Sequence, residues 1–489
     1  MNPVLATRRA GVLLHPTSLP GPRSCGTLGA DAWRFVDFLR AGGFSVWQTL
    51  PLGPVDAYGS PYCLRSAYAG DARLIDADHL RALPQLPQRM VFDAGGDLRL
   101  EAYRSFCSAA SAQQLREFAQ FLRRQRGWLL PYGVFELCSA RFSSDPWWCW
   151  PEPFRRCHTP TLFELLAQDR EHFRSVLFEQ YLFDLQWSAL KRYANERGVY
   201  LFGDLPIYVD LNSVEVWWNR ELFRLDADGT PVAVAGVPPD YFNADGQLWG
   251  NPLYDWERMR KDGFQWWLQR LRAQFARFDL VRIDHFRALE SYWEVPVGAA
   301  TAREGVWRHG VGDRLLTAIK QNLGEIPLVA EDLGMITNEV RALRDRFDLP
   351  GMLVLQFAFD GTPDNPHLPA NHRRNAVVYT GTHDNDTTVG WYFKLDDSAR
   401  AQVHQALGLT DAPQVPDFLV DAAYASRSQL AVIPMQDLLG LDSSSRMNTP
   451  GSIEGNWHWR FDWSQVDRTV ATKSLQRAQQ YERLTRRFR

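Results

Sequence analysis

Eight short apolar segments alternating with stretches of helical spacing predict an α/β fold, a (β/α)8 barrel of the TIM type. The opening strand, helix and strand succeed one another at βαβ spacing, which makes the sheet parallel. Four of the eight segments run into an acidic residue where the strand closes, the pattern of a barrel whose mouth carries chemistry. Two long interruptions, rich in Gly, Pro and aromatic residues, predict large insertions after strands 2 and 3 that surround that mouth.

The elements follow in order. Residues 10–16 read as the first strand. Residues 31–41 carry Trp33, Val36 and Leu39 at helical spacing with Asp31 as cap, and residues 46–50 form the second strand. The chain then leaves the barrel over about 53–169, with a loop at Tyr58-Gly59-Ser60-Pro61-Tyr62, a helix near 113–124 and the cluster Pro146-Trp147-Trp148-Cys149-Trp150-Pro151. That cluster serves either subdomain packing or a sugar platform. A long helix, 171–197, stops at Gly198 before the third strand, which ends at Asp204. The second insertion, about 211–262, holds Val237-Pro238-Pro239-Asp240-Tyr241 and residues 246–254, and its composition predicts a rigid surface loop.

The helix 265–278 feeds the central strand, Leu280-Val281-Arg282-Ile283-Asp284-His285-Phe286. Arg282 and Asp284, two residues apart, point to one side of it, and a buried carboxylate needs such a partner. His285 is either a catalytic neighbour or a hydrogen-bonded core residue. A shorter insertion, about 288–312, precedes the helix 312–322 and a strand, 327–332, that closes on Glu331 and Asp332. The helix 338–347, strand 351–357, strand 376–384 ending at Asp384, helix 418–429 and strand 430–436 complete eight alternations within one catalytic domain, 1–489.

Composition narrows the function. A formal net charge of −3 with no Lys/Arg block argues against nucleic-acid and anionic-membrane partners. No apolar run of about 18 residues occurs, and residues 1–10 lack a signal core, which predicts an intracellular, cytoplasmic protein. Six cysteines without a CxxC pair read as reduced thiols. No oxygen-rich loop of calcium type occurs, so neither metal nor cofactor is expected. The 19 Trp, 16 Tyr and 28 Phe, many beside Gly, Pro, Asn or Asp, suit stacking on pyranose rings.

Asp204, Asp284, Glu331 and Asp384 should converge on the barrel axis. Carboxylates crowded in a low-dielectric mouth raise at least one pKa and separate a proton donor from an ionised nucleophile, which glycoside cleavage requires. The segments Arg282-Ile283-Asp284-His285-Phe286-Arg287, Ala330-Glu331-Asp332-Leu333-Gly334 and Gly381-Thr382-His383-Asp384-Asn385-Asp386 resemble the signatures of glycoside hydrolase family 77. These are the 4-α-glucanotransferases of the α-amylase clan. The resemblance extends to residues 15–22, 60–62, 203–208, 246–252 and 446–451.

It implies Asp284 as nucleophile, Glu331 as general acid/base and Asp384 as the carboxylate that fixes the distorted sugar. Arg282 would keep Asp284 ionised, with Asp204, His383, Tyr62 and Ser60 around the cleaved sugar. Gln247, Trp249, Asn251 and Asn448 would contribute to substrate binding. Donor and acceptor would be α-1,4-glucans and maltooligosaccharides; oligomeric state is not encoded legibly. Ala288, Cys63 and the segment Trp307-Arg308-His309-Gly310-Val311-Gly312 depart from the family pattern and bear on loop shape. Two rival readings share these residues: an α-amylase-like hydrolase and a silent glucan-binding barrel.

Overall fold

The structure, a computed structural model, describes residues 2–90, 98–239, 244–409, 414–452 and 454–485. Eight parallel strands close a barrel: β1 (Arg9–Leu13), β2 (Val46–Gln48), β3 (Tyr200–Leu205), β4 (Leu280–Ile283), β5 (Leu328–Ala330), β6 (Gly351–Val354), β7 (Ala376–Tyr379) and β8 (Leu430–Pro434). Each strand neighbours its successor, and β8 pairs with β1. The strands are almost wholly buried apolar runs, as expected for a parallel sheet covered by helices.

Alternation along the strands decides what enters the barrel. Leu13, Val46, Phe202, Leu280, Val329, Met352, Val377, Tyr379, Leu430 and Val432 form one buried cluster in its interior. Phe202 is followed two residues later by Asp204, and Leu280 by Arg282, so the same inward rows end in charge. Those two residues also pair across β3 and β4. Gly203, on the opposite face, lets the helix before β4 pack closely: a Cβ there would lie 2.3 Å from the Phe278 ring.

Several elements differ from the sequence reading. The strands ending at 332 and 384 are shorter than read, because β5 stops at Ala330 and β7 at Tyr379. Glu331 therefore follows its strand directly, whereas Asp384 stands in a loop beyond β7. The helix at Ala30–Ala41 is capped by Gly29, not Asp31; Asp31 sits in the first turn and accepts a 2.6 Å hydrogen bond from Trp463 Nε1. The helix expected near 113–124 runs over Ala112–Arg141 and passes through Pro131. An interior proline costs about 3 kcal/mol. Burial of Phe118, Phe121, Leu129, Tyr132 and Phe135 outweighs it.

The second insertion is not a simple surface loop. Its strands Ala233–Val237 and Gln247–Pro252 join Ser291–Pro296 and Val306–His309, from the insertion after β4, in one antiparallel sheet. Two segments far apart in sequence complete each other, a pairing that local composition does not reveal. Asp240 and Tyr241 lie outside the described residues. In the Trp cluster, Trp147 and Trp150 are buried and their indoles donate to the carbonyls of Leu211 and Asp145, so subdomain packing dominates. Trp148 remains partly exposed.

Among the described residues no helix is long and apolar enough to cross a membrane. None of the six cysteines is in a disulfide.

Candidate active site

The turn after β4 organises the mouth of the barrel. Asp284 leaves the strand with its N–H still bonded to the carbonyl of Leu205. His285 then takes a left-handed conformation, φ 48°, that redirects the chain. In that conformation its N–H donates to Glu331 Oε2 at 2.7 Å, while the N–H of Leu333 donates to Glu331 Oε1 at 2.8 Å. Backbone links between Glu331 N and Ile283 O and between Phe286 N and Glu331 O lock the two strand ends together. The Glu331 carboxyl is thus fixed by two backbone N–H groups rather than by mobile side chains.

Arg282 bridges two acids. Its Nη1 donates to both oxygens of Asp204 at 2.8 and 2.7 Å, and its Nη2 to Asp284 Oδ1 at 2.7 Å. Asp204 is sealed from water, while 27 % of the Asp284 side chain faces the cleft. A buried cation between two carboxylates is stable only as a set, since removing one member strands the charge of another.

Tyr62 extends this network. Its hydroxyl donates to Asp204 Oδ2 at 2.7 Å and lies 2.9 Å from His383 Nε2. The two rings stack with centroids 5.3 Å apart. His383 Nε2 also lies 3.3 Å from Asp384 Oδ2, and Asn448 Nδ2 donates to Asp384 Oδ1 at 2.6 Å. Asp204, Asp284, Asp384, Arg282, Tyr62, His383 and Asn448 are therefore linked in one chain of contacts.

The electrostatics separate the two central carboxyls. Loss of water pushes Glu331 up to about 7, Arg282 opposes this, and Asp284 adds to it. Loss of water also raises Asp284 above the usual carboxylate range; Arg282 pulls it down, and Asp204 and Asp384 push it up. Of Asp284 and Glu331, only Asp284 is hydrogen-bonded to the guanidinium. In this coupled pair the proton therefore belongs on Glu331.

The remaining predicted residues fall on the rim. Trp249 meets the His285 ring edge-on at 4.7 Å, and its Nε1 donates to Gln247 Oε1 at 3.1 Å. Burial holds the His285 imidazole near 3, so it is neutral. Asn251 ties the second sheet to the segment after β3 by donating to the carbonyl of Val209. Ser60 Oγ accepts from the N–H of Tyr62, so it shapes the loop that presents the tyrosine.

Sequence reasoning overlooked the backbone N–H groups of His285 and Leu333, which carry no side-chain signature. It also passed over Trp457, which packs near both Tyr62 and His383, and Arg446, whose guanidinium caps the Asp384 carbonyl. The proximity of Arg446 to Asn448 in a Gly/Pro-flanked segment was the available signal. Among the described residues, no group of three or more His, Cys, Asp or Glu side chains is placed to hold a metal ion.

Comparison with known proteins identifies the family. Residues 14–465 match the family model described as 4-alpha-glucanotransferase. The chain is 45 % identical over 473 residues to a 4-alpha-glucanotransferase of Thermus thermophilus, covering 93 % of this chain and 94 % of that protein. It is 43 % identical over 486 residues to one from Synechocystis sp., covering 95 % and 96 %. An amylomaltase from Streptococcus agalactiae, solved with acarbose, superposes with a TM-score of 0.92 at 34 % identity, covering 98 % of this chain and all of that one. An amylomaltase from Corynebacterium glutamicum, 17 % identical, shares the fold with a TM-score of 0.74 over 99 % of this chain and 76 % of its own. On this extent of similarity, with a closed barrel carrying the predicted signatures, the chain belongs to the 4-alpha-glucanotransferases of glycoside hydrolase family 77.

Proposed function

We propose that the cleft disproportionates α-1,4-glucans by a retaining double displacement, with Asp284 as nucleophile and Glu331 as general acid and base. The observation that carries this assignment is the contrast between the two carboxyls. Asp284 lies against a guanidinium at 2.7 Å, and Glu331 is pushed up to about 7. Asp284 attacks the anomeric carbon as protonated Glu331 gives its proton to the departing glycosidic oxygen, leaving a covalent glucan ester. Glu331, now a base, takes the proton of an incoming 4-hydroxyl, and that oxygen displaces Asp284 to form a new α-1,4 bond.

Asp384 grips the hydroxyls of the distorted sugar, and Asn448 and His383 hold that carboxylate in place. Tyr62, Asp204 and Arg282 form the wall beside the same sugar, and Ser60 shapes it. Gln247, Trp249 and Asn251 belong to the acceptor side, where an indole can displace water that would otherwise hydrolyse the intermediate. Carboxyls acting in this way stand about 5 to 5.5 Å apart. We assign the chain as one catalytic barrel, 1–489, with inserted subdomains at about 53–169 and 211–262 and a shorter insertion at about 288–312. The free cysteines support a reducing, cytoplasmic home.

Incubation with maltotriose alone tests the reading. Glucose together with a ladder of longer maltooligosaccharides, with little gain in reducing ends, is the expected outcome, and Asp284→Asn should abolish it. A steady rise in reducing ends without the ladder would identify a hydrolase instead.

A further inference from the structure

We propose that the face of the second sheet carrying Trp307 is an additional glucan-binding surface, which engages acceptor chains longer than glucose; it rests on the transferase reading above. Four residues lie directly across from one another on successive strands: Leu248, Gly236, Trp293 and Trp307. Residues paired in this way share a face of an antiparallel sheet. The two ends of the row are open to solvent, Leu248 at 46 % and Trp307 at 41 % exposure. Between them Gly236 offers no side chain, and a Cβ there would lie 2.6 Å from the carbonyl oxygen of Gln247. Beside the middle of the row Val234 and Val295 are buried under Ala302 with Trp293 packed on them, so the accessible apolar parts of this face are its two ends, one of them the flat Trp307 indole.

Trp307 is braced from behind. The Arg287 guanidinium lies 3.9 Å from the centre of its ring, and Trp293 meets it edge-on with centroids 5.1 Å apart. Trp293 is itself pinned by a 2.8 Å hydrogen bond from Nε1 to the Ala302 carbonyl. Arg287 is fixed in turn by the Met335 carbonyl and by Ser291 Oγ. The indole therefore presents its free face with little rotational freedom to lose, which is what ring-on-sugar stacking needs.

Position identifies the occupant. Glu331 protonates the departing oxygen, so its side of the cleft receives the acceptor. The turn that holds Glu331 through the His285 N–H contacts two exposed indoles, Trp249 through His285 and Trp307 through Arg287. Trp249 touches His285, whose N–H holds Glu331, whereas Trp307 is reached only through Arg287, two residues further on, so on this proposal Trp307 meets the more distant units of a longer acceptor.

The test compares acceptors against a fixed maltooligosaccharide donor. In Trp307→Leu, which keeps apolar bulk against Arg287 and Trp293 but lacks a flat ring, the acceptor KM for maltotetraose should rise about tenfold, the worth of one aromatic contact. The KM for glucose as acceptor should stay unchanged, and Trp307→Phe should recover most of the maltotetraose affinity. Equal weakening for both acceptors would mean that Trp307 is only structural. Unchanged maltotetraose KM in the leucine variant would overturn the surface. Failure of the wild type to transfer to either acceptor would instead refute the transferase reading itself.

Discussion

Glu331→Gln separates two opposing forces on one carboxyl. In the folded protein the group titrates near 7, against 4.5 for an ordinary glutamate, because the closed cleft removes its water. Between these values the folded state holds a proton that the unfolded chain has released, so stability falls as pH rises through the window. From 4.5 to about 7 is some 2.5 pH units, and at roughly 1.4 kcal/mol each the accumulated loss is roughly 3 to 4 kcal/mol. Glutamine does not titrate and escapes this loss. It does introduce an amide NH2 facing the His285 or Leu333 N–H, where the carboxyl offered an acceptor. Losing that hydrogen bond costs about 1 to 3 kcal/mol at every pH.

The diagnostic quantity is therefore the pH dependence of the stability difference, not its level. Chemical denaturation of both proteins between pH 4 and pH 8 should show the glutamine variant gaining on the wild type by roughly 3 to 4 kcal/mol across the range and levelling off above about 7. Its transferase activity should fall by about 10² to 10⁴ with ordinary maltooligosaccharides. A glucosyl fluoride donor needs no proton to depart, so the first step should survive. A stability difference that is flat with pH would refute the argument. It would mean that the two backbone donors, which favour the carboxylate, outweigh desolvation and that Glu331 is ionised at neutral pH.

Other expectations follow from the same geometry. The wild-type kcat/KM should decline as pH rises through about 7, approaching tenfold per pH unit, as the Glu331 proton is lost. Arg282→Met should cost about 3 to 5 kcal/mol in denaturation experiments, because it strands Asp204 and Asp284 together. Adding Asp204→Asn to it should recover part of that stability without restoring activity. Asn448→Ala removes a 2.6 Å bond to the Asp384 carboxylate, and a loss of about 1.5 to 3 kcal/mol should appear as a roughly 10- to 100-fold drop in kcat. Trp249→Ala should raise the yield of new reducing ends relative to transfer products, as water gains access to the intermediate.

The barrel was legible because burial leaves a local trace. Strands covered on both faces must be continuously apolar, and the helices between them must carry one apolar stripe. Asp284 and Glu331 stood out because an acid at the end of such a run needs an explanation, and Arg282 because it sits two residues from the first of them. Asp384 was read as a strand-end acid too, although its strand ends earlier, at Tyr379, and the residue stands in the loop beyond it. The extent of the Ala112–Arg141 helix was misjudged because Pro131 is a local stop signal that only packing overrides.

The sequence by itself determined the alternation of strands and helices, the acids and their arginine, and an aromatic surplus suited to sugars, since each depends on neighbours within a few residues. Only the tertiary structure decided which groups meet. It joined Tyr62 to His383 across 321 positions and Asn448 to Asp384 across 64. It also built one sheet from two separate insertions, and it placed the His285 N–H against Glu331. Hydrogen bonds and desolvation act through space over a few ångströms, and the proton on Glu331 depends on residues that chain order leaves far apart.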